Sequence, residues 1–82
     1  MNYLFAPNYE RADAFFRNNG FGVERGNTLV RLSYNNLWVG EKYSDADTLY
    51  ILDGCPSFMT EIIEYNVSRS PSAPQGVSVE ER

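Results

Sequence analysis

The residues best placed to do chemistry lie in the stretch DTLYILDGCPSF, where Asp53 and Gly54 end an apolar run. Ligands of open α/β sheets collect at the carboxyl ends of parallel strands, so an acid at this position is a candidate ligand-binding residue. Asn8 holds the equivalent position after the first apolar run of the chain. Asn8, Asp53 and Gly54 therefore form a candidate site for a nucleotide or phosphate, with Mg²⁺ bridging the carboxylate and the phosphate.

The same three residues also have a purely structural interpretation, which we favour. A dinucleotide-binding loop carries G-x-G-x-x-G, whereas this chain has no glycine before Gly20. Asn8 suits the N-cap of a helix, and Asp53-Gly54 suits a turn in which Gly54 takes a positive φ. The sequence therefore predicts no cofactor.

Nucleophilic and metal chemistry are disfavoured by composition. The chain has no histidine and one cysteine, Cys55. The Ser–His and Cys–His pairs are therefore excluded, as is an internal disulfide, and a zinc site would need carboxylates alone. A nearby helix start would lower the pKa of the Cys55 thiol, but we expect a half-buried small side chain. We predict no catalytic residue, no metal site and no enzymatic activity.

Apolar runs and capping signals predict the elements that would position these residues. Tyr9, Ala12 and Phe16 form one apolar stripe of the first helix, and Gly20 with Phe21 suits its end. The predicted strands are Asn2–Ala6, Thr28–Tyr34 and Thr48–Leu52, and the predicted helices are Tyr9–Asn18 and, capped by Ser57, Phe58 to about Asn66. The inner face predicted for the second helix comprises Phe58, Met59, Ile62, Ile63 and Tyr65.

Two segments have less regular patterns. Leu37-Trp38-Val39 suits either a third strand in a hairpin or an irregular crossover that covers the sheet, and the polar residues 41–47 favour the crossover. Residues 68–82, rich in Ser, Pro and Gly, predict a flexible tail after a small α/β domain at residues 1–67.

The element order predicts an α/β fold, a minimal three-stranded and mainly parallel sheet with two helices, because alternating strands and helices favour parallel pairing. The segments YLFAP, YERADAFFRNNGF, TLVRLSY and DTLYILDGCP resemble small Rossmann-like proteins of unknown function that are common in bacteriophage genomes. This resemblance of pattern covers roughly residues 2–67 and implies a truncated Rossmann-like β-α-β-β-α fold. It implies no catalytic motif.

Aromatic residues are abundant, with five Phe, six Tyr and one Trp in 82 residues. So thin a fold is not expected to bury twelve rings, and exposed rings rimmed by acids are typical of a partner-binding surface. The predicted surface surrounds the connection between the second and third predicted strands and comprises Tyr34, Trp38, Glu41, Tyr43, Asp45 and Asp47.

The net charge of -4 disfavours direct nucleic-acid binding, which needs a cationic surface. The opening residues lack the pattern of a signal peptide, and no apolar run approaches membrane-spanning length, so we expect a cytoplasmic protein. The leading hypothesis is a small acidic interaction protein, phage-encoded, that acts as an accessory or inhibitor on a host protein or nucleoprotein. The two open edges of the predicted sheet also invite pairing between copies as a homodimer.

Overall fold

The computed structural model describes residues 1–18, 22–35 and 37–80. One short 3-10 turn, Arg25–Asn27, precedes the second strand. The elements are β1 (Asn2–Ala6), α1 (Tyr9–Asn18), β2 (Thr28–Leu32), β3 (Thr48–Leu52), α2 (Ser57–Ser68) and β4 (Gln75–Val79).

The strands form one parallel sheet in the order β2-β1-β3-β4. β1 is an inner strand, in which Tyr3 is in register with Leu29 on one side and with Leu49 on the other. Its residues from Tyr3 to Ala6 are all buried. This explains the continuous apolar run, because a strand covered on both faces has no solvated side for polar residues.

The prediction of three strands was wrong by one, and the expected flexible tail is wrong for Gln75–Val79. These residues form β4, which pairs with β3 along its whole length. The Asp53 amide donates to the Val79 carbonyl at 2.9 Å, and Val79 is buried. The sequence QGVSV has little intrinsic strand propensity. It forms a strand because β3 supplies the backbone hydrogen-bonding partners.

The structure decides between the two alternatives for Leu37-Trp38-Val39. These residues form a turn rather than a strand paired with β2, and Trp38 packs against Phe5 of β1 while the chain crosses to the start of β3. We refer to residues 33–47 as the crossover loop. The expected crossover is confirmed.

Two hydrophobic clusters lie on opposite faces of the sheet. The first comprises Tyr3, Phe5, Trp38, Tyr43, Leu49, Met59 and Ile63, and so combines strands, crossover loop and α2. The second comprises Leu4, Ala6, Ala12, Phe15, Val23, Leu52 and Val79, and so includes α1. The layers are therefore α1, the sheet, and α2 with the crossover loop.

α1 begins as predicted, since the Arg11 amide donates to Oδ1 of Asn8 at 2.9 Å. Its inner face is rotated from the expected stripe: Ala12 and Phe15 are buried, Phe16 is half-buried and Tyr9 is exposed. The predicted ending at Gly20 and Phe21 lies outside the described residues.

α2 begins at Ser57, with Pro56 rather than Ser57 at the N-cap. The predicted inner face is correct for Met59 and Ile63, and Ile62 packs beside them. It is wrong for Phe58 and Tyr65, which are exposed. Within the described part of the chain, no helix is long and apolar enough to cross a membrane.

Candidate interaction surface

The carboxyl ends of β1 and β3 bring Asn8, Asp53 and Gly54 together around Arg11. The Arg11 guanidinium lies 2.5 Å from Oδ1 of Asp53 and also donates to the Asp53 carbonyl at 2.9 Å. Gly54 has a φ of 84°, and a Cβ there would lie 3.1 Å from Nη1 of Arg11. The arginine thus fills the space between the two strand ends.

This geometry assigns structural roles to the candidate ligand-binding residues. Asn8 caps α1, and Asp53-Gly54 forms the turn and an ion pair with Arg11. The role of Arg11 was not predicted from the sequence. Its position three residues after the helix cap, in the first turn of α1, could have indicated that its side chain lies near the strand ends. Among residues 1–18, 22–35 and 37–80, no group of three or more Cys, Asp or Glu side chains could hold a metal ion.

Cys55 is half-buried, and its thiol donates to the Phe5 carbonyl at an Sγ–O distance of 3.4 Å. Burial raises the pKa of the Cys55 thiol to about 11, although the nearby Arg11 charge acts in the opposite direction. A neutral thiol suits this position, since a thiolate would lose solvation and could not donate to the carbonyl.

We expect native Cys55 to react with iodoacetamide at pH 8 about a hundredfold more slowly than in the unfolded chain, because few thiols are ionised. The rate should rise nearly tenfold per pH unit between about pH 8 and 10. Urea-unfolded protein is the control, with the rates measured by mass spectrometry. A native rate that levels off below pH 9 would contradict the raised pKa.

Trp38 and Tyr43 correct the predicted partner-binding surface, because both are core residues. Trp38 is 4% exposed, meets the ring of Phe5 edge-on at 5.2 Å, and donates from Nε1 to the Leu32 carbonyl at 3.4 Å. Tyr43 is 1% exposed and packs edge-on against Tyr3 at 5.0 Å. Burial raises the pKa of the Tyr43 phenol far above its usual range.

Two of the three predicted rim acids hold the crossover loop in place. Glu41 accepts from Arg31 at 2.5 Å and from the Tyr43 hydroxyl at 3.1 Å. Asp47 accepts from the Ser44 amide at 2.8 Å and lies 3.3 Å from the N-terminal amine. Asp45 is exposed. The expected acidic rim around Trp38 is therefore not formed, because Glu41 and Asp47 make ion pairs within the chain.

The crossover loop instead exposes apolar residues on either side of Trp38. Leu37 is 92% exposed and Val39 is 51% exposed, and Tyr34 earlier in the loop is 68% exposed. We refer to Tyr34, Leu37 and Val39 as the exposed triplet. Of the predicted surface residues, only Tyr34 belongs to it.

Asn66 of α2 anchors the crossover loop at Trp38 and Gly40. Its side chain is fully buried on α2 and accepts from the Gly40 amide at 2.8 Å. It donates from Nδ2 to the Trp38 carbonyl at 3.1 Å and to the Tyr43 hydroxyl at 3.3 Å. These bonds and the buried Trp38 ring hold the backbone on both sides of Val39.

A cavity of about 190 Å³ lies between β2 and the loop. Its lining residues are Val30, Arg31, Leu32, Asn35, Leu37 and Trp38. The exposure of Leu37 and Val39 was not predicted from the sequence. In an extended LWV segment, burial of Trp38 would turn the two flanking side chains outward, and this alternation could have indicated their exposure.

The fold and surface together define a small α/β protein with a four-stranded parallel sheet and an apolar surface loop. Comparisons with protein-family models, curated proteins and solved structures find no match to this chain. The resemblance to Rossmann-like phage proteins therefore stays a prediction.

Proposed function

We propose that this chain is a small, acidic, non-enzymatic interaction protein that binds a protein partner through the exposed triplet. The observation that carries the proposal is Leu37, a leucine left 92% exposed directly before the buried and anchored Trp38. Leaving apolar area in water forfeits the free energy of its burial, so several exposed apolar side chains in one loop, here Tyr34, Leu37 and Val39, support an interaction site.

The anchoring of the loop supports this role energetically. Trp38 packs on Phe5, and Asn66 holds the backbone of Trp38 and Gly40. A partner would therefore meet a loop that is already ordered, and binding would cost less conformational entropy than on a flexible segment. Leu37, at 92% exposed, also differs from Phe58 and Tyr65 of α2, which are 42% and 49% exposed.

The partner that fits is a protein with an apolar recess and a basic surround. The recess would bury Tyr34, Leu37 and Val39. The chain's net charge of -4 favours a basic protein as the partner. Exposed acids include Asp45 in the same loop and Glu64 on α2. The partner that we propose is a cytoplasmic host protein or nucleoprotein of this kind, on which the chain acts as a phage-encoded accessory or inhibitor.

The alternative of a nucleotide or phosphate site draws no support from the strand ends. Asn8 already accepts from the Arg11 amide, and the Arg11 side chain fills the space beside Asp53 and Gly54.

The test is a triple substitution, Tyr34→Ser, Leu37→Ser and Val39→Ser, in the full chain. Wild-type protein first captures its partner from lysate, and the purified partner is then titrated by calorimetry. We expect the triple variant to bind at least about 30-fold more weakly, because truncation of interface anchors costs about 2 kcal/mol or more. Its melting temperature should match the wild type, since the triplet lies outside the core.

The matched control is Phe58→Ser, which removes an exposed apolar side chain from α2. This variant should keep the wild-type affinity. Equal binding by the triple variant, or equal losses in both variants, would contradict the exposed triplet as the binding surface.

A further inference from the structure

The two edges of the sheet differ in how their outward backbone groups are bonded. At β2 these groups are occupied within the chain. The Thr28 amide donates to the Arg25 carbonyl. The Leu32 carbonyl accepts from the Asn35 amide and from the Trp38 indole. The β2 edge is therefore closed to a continuous ladder with another strand, which corrects the expectation of two open edges.

β4, at the other edge, has outward backbone groups that stay unbonded. The Gln75 amide, at 3.1 Å from its acceptor, and the Val79 carbonyl, at 2.9 Å from its donor, both bond toward the β3 side of the sheet. Because backbone groups alternate along a strand, the amides and carbonyls of Gly76 and Ser78 point away from β3. Within the part of the chain that the structure describes, no group bonds them.

β4 also lacks the features that protect natural edge strands, such as a lysine, a proline within the strand or an inward charge. Its sequence, QGVSV, is uncharged, and Gly76 and Ser78 are exposed. Pro74 precedes the strand and so blocks only its start. Val77 is half-buried and packs on the α1 side against the cluster that contains Val79. The edge thus combines unbonded backbone groups with an incompletely buried apolar side chain.

A second copy of β4, antiparallel and centred on Val77, matches this edge. Gly76 of each copy would lie opposite Ser78 of the other, and the two pairs would exchange four N–H···O bonds. Each of the outward groups would then have a partner. The two Val77 residues would form a non-hydrogen-bonded pair, in which opposed side chains approach most closely. A register centred on Gly76 would instead place Ser78 opposite Pro74, which has no amide to donate.

The side chains in this register favour a second copy over a strand from another protein. Recognition of a foreign strand relies on pockets for its side chains, whereas Gly76 and Ser78 would oppose only small side chains on the α2 side. On the α1 side, Val77 would meet its own counterpart. No charge lies within Gln75–Val79, and the two Glu80 residues would lie about 20 Å apart, so no like charges are opposed.

We propose that the chain forms a symmetric dimer through antiparallel β4 strands, in which Gly76 of each copy bonds Ser78 of the other and the two Val77 side chains meet at the two-fold axis. The partner is a second copy of this chain, and two four-stranded sheets would join into one. The inference goes beyond the proposed function, because β4 and the exposed triplet share no residue.

The first experiment removes the outward amide of residue 78. Proline is tolerated on an edge strand where its nitrogen faces away from the sheet, so Ser78→Pro should keep the bonds between β4 and β3. Two of the four bonds between copies would be lost, and we expect the dimer dissociation constant to rise about 30-fold or more. Ser78→Thr, which keeps the amide, is the matched control and should dimerise like the wild type.

Light scattering over a concentration series up to about 1 mM measures the molar mass and hence the dissociation constants. Wild-type protein should approach twice the 9.4 kDa of one chain. The melting temperature of Ser78→Pro should stay close to that of Ser78→Thr. A wild-type mass that stays at 9.4 kDa, or a folded Ser78→Pro variant that dimerises as tightly as Ser78→Thr, would overturn the proposal.

The second experiment tests the register by cross-linking, in a Cys55→Ser background. Two Val77→Cys residues would face each other with Cα atoms about 4.5 Å apart, within reach of a disulfide. Gln75→Cys is the control, since its two copies would lie about 14 Å apart. Mild oxidation should give a covalent dimer with Val77→Cys alone. Equal cross-linking at both positions, or none at position 77, would refute the register even if Ser78→Pro does not fold.

These outcomes are separable from those of the proposed function. Ser78→Pro should lose the dimer and keep its affinity for the protein partner, whereas the triple variant of the exposed triplet should do the reverse. Equal partner binding by that triple variant would contradict the exposed triplet and leave the dimer measurement unaffected. Loss of partner binding in Ser78→Pro, with the wild-type mass at 9.4 kDa, would place the partner on the β4 edge and overturn the dimer.

Discussion

Replacing Trp38 with alanine is expected to lower the free energy of unfolding by about 3–5 kcal/mol, the range for truncation of a buried aromatic side chain. The indole is 4% exposed and packs edge-on against Phe5, and its Nε1 donates to the Leu32 carbonyl. The substitution would leave a cavity under the crossover loop and remove one of two hydrogen bonds to the Leu32 carbonyl, which also accepts from the Asn35 amide. Urea denaturation followed by circular dichroism measures the loss.

The adjacent Leu37 provides the control. Because its side chain is 92% exposed, Leu37→Ala should change the free energy of unfolding by less than about 0.5 kcal/mol. A Trp38→Ala variant as stable as Leu37→Ala would show that the indole is not part of the core.

Asn66→Leu should also destabilise the protein, by about 1–3 kcal/mol, although leucine has a similar size and is apolar. The substitution removes the partner of the Gly40 amide, while the Trp38 carbonyl keeps its bond from the Glu41 amide. An unsatisfied buried polar group costs about 1–3 kcal/mol. The loss is a large part of the total stability of a small domain.

Glu64→Leu is the matched change for Asn66→Leu, on the exposed side of the same helix. It should leave the urea midpoint nearly unchanged. Hydrogen exchange adds a local readout: in Asn66→Leu the Gly40 amide should lose protection before the strands do. An Asn66→Leu variant with wild-type stability and a protected Gly40 amide would contradict the anchoring role.

Most of the framework was predictable from local patterns. The continuous apolar runs identified β1 and β3, because buried parallel strands need apolar residues on both faces. Asn8 signalled the start of α1, and Gly54 signalled a turn with positive φ, which the structure shows. These features depend on residues close together in the chain, so the sequence carries their signal.

The faces of the helices were less predictable. α1 buries Phe15 more deeply than Phe16, and α2 buries Asn66 while exposing Tyr65. Two adjacent residues on a helix differ by about 100° in direction. Which of them faces inward depends on how the whole helix docks on the sheet, and hydrophobicity alone does not decide it.

The sequence by itself determined the alternation of strands and helices, the start of α1 at Asn8 and the turn at Asp53-Gly54. Only the tertiary structure decided that QGVSV forms a strand and that LWV buries Trp38 and exposes Leu37 and Val39. β4 forms because β3 offers an edge to it. Trp38 is buried because its ring packs against Phe5 of β1, while Asn66, 28 residues later, bonds its carbonyl. Both depend on groups brought together from distant parts of the chain, whose free energy is realised only when the sheet and α2 are assembled.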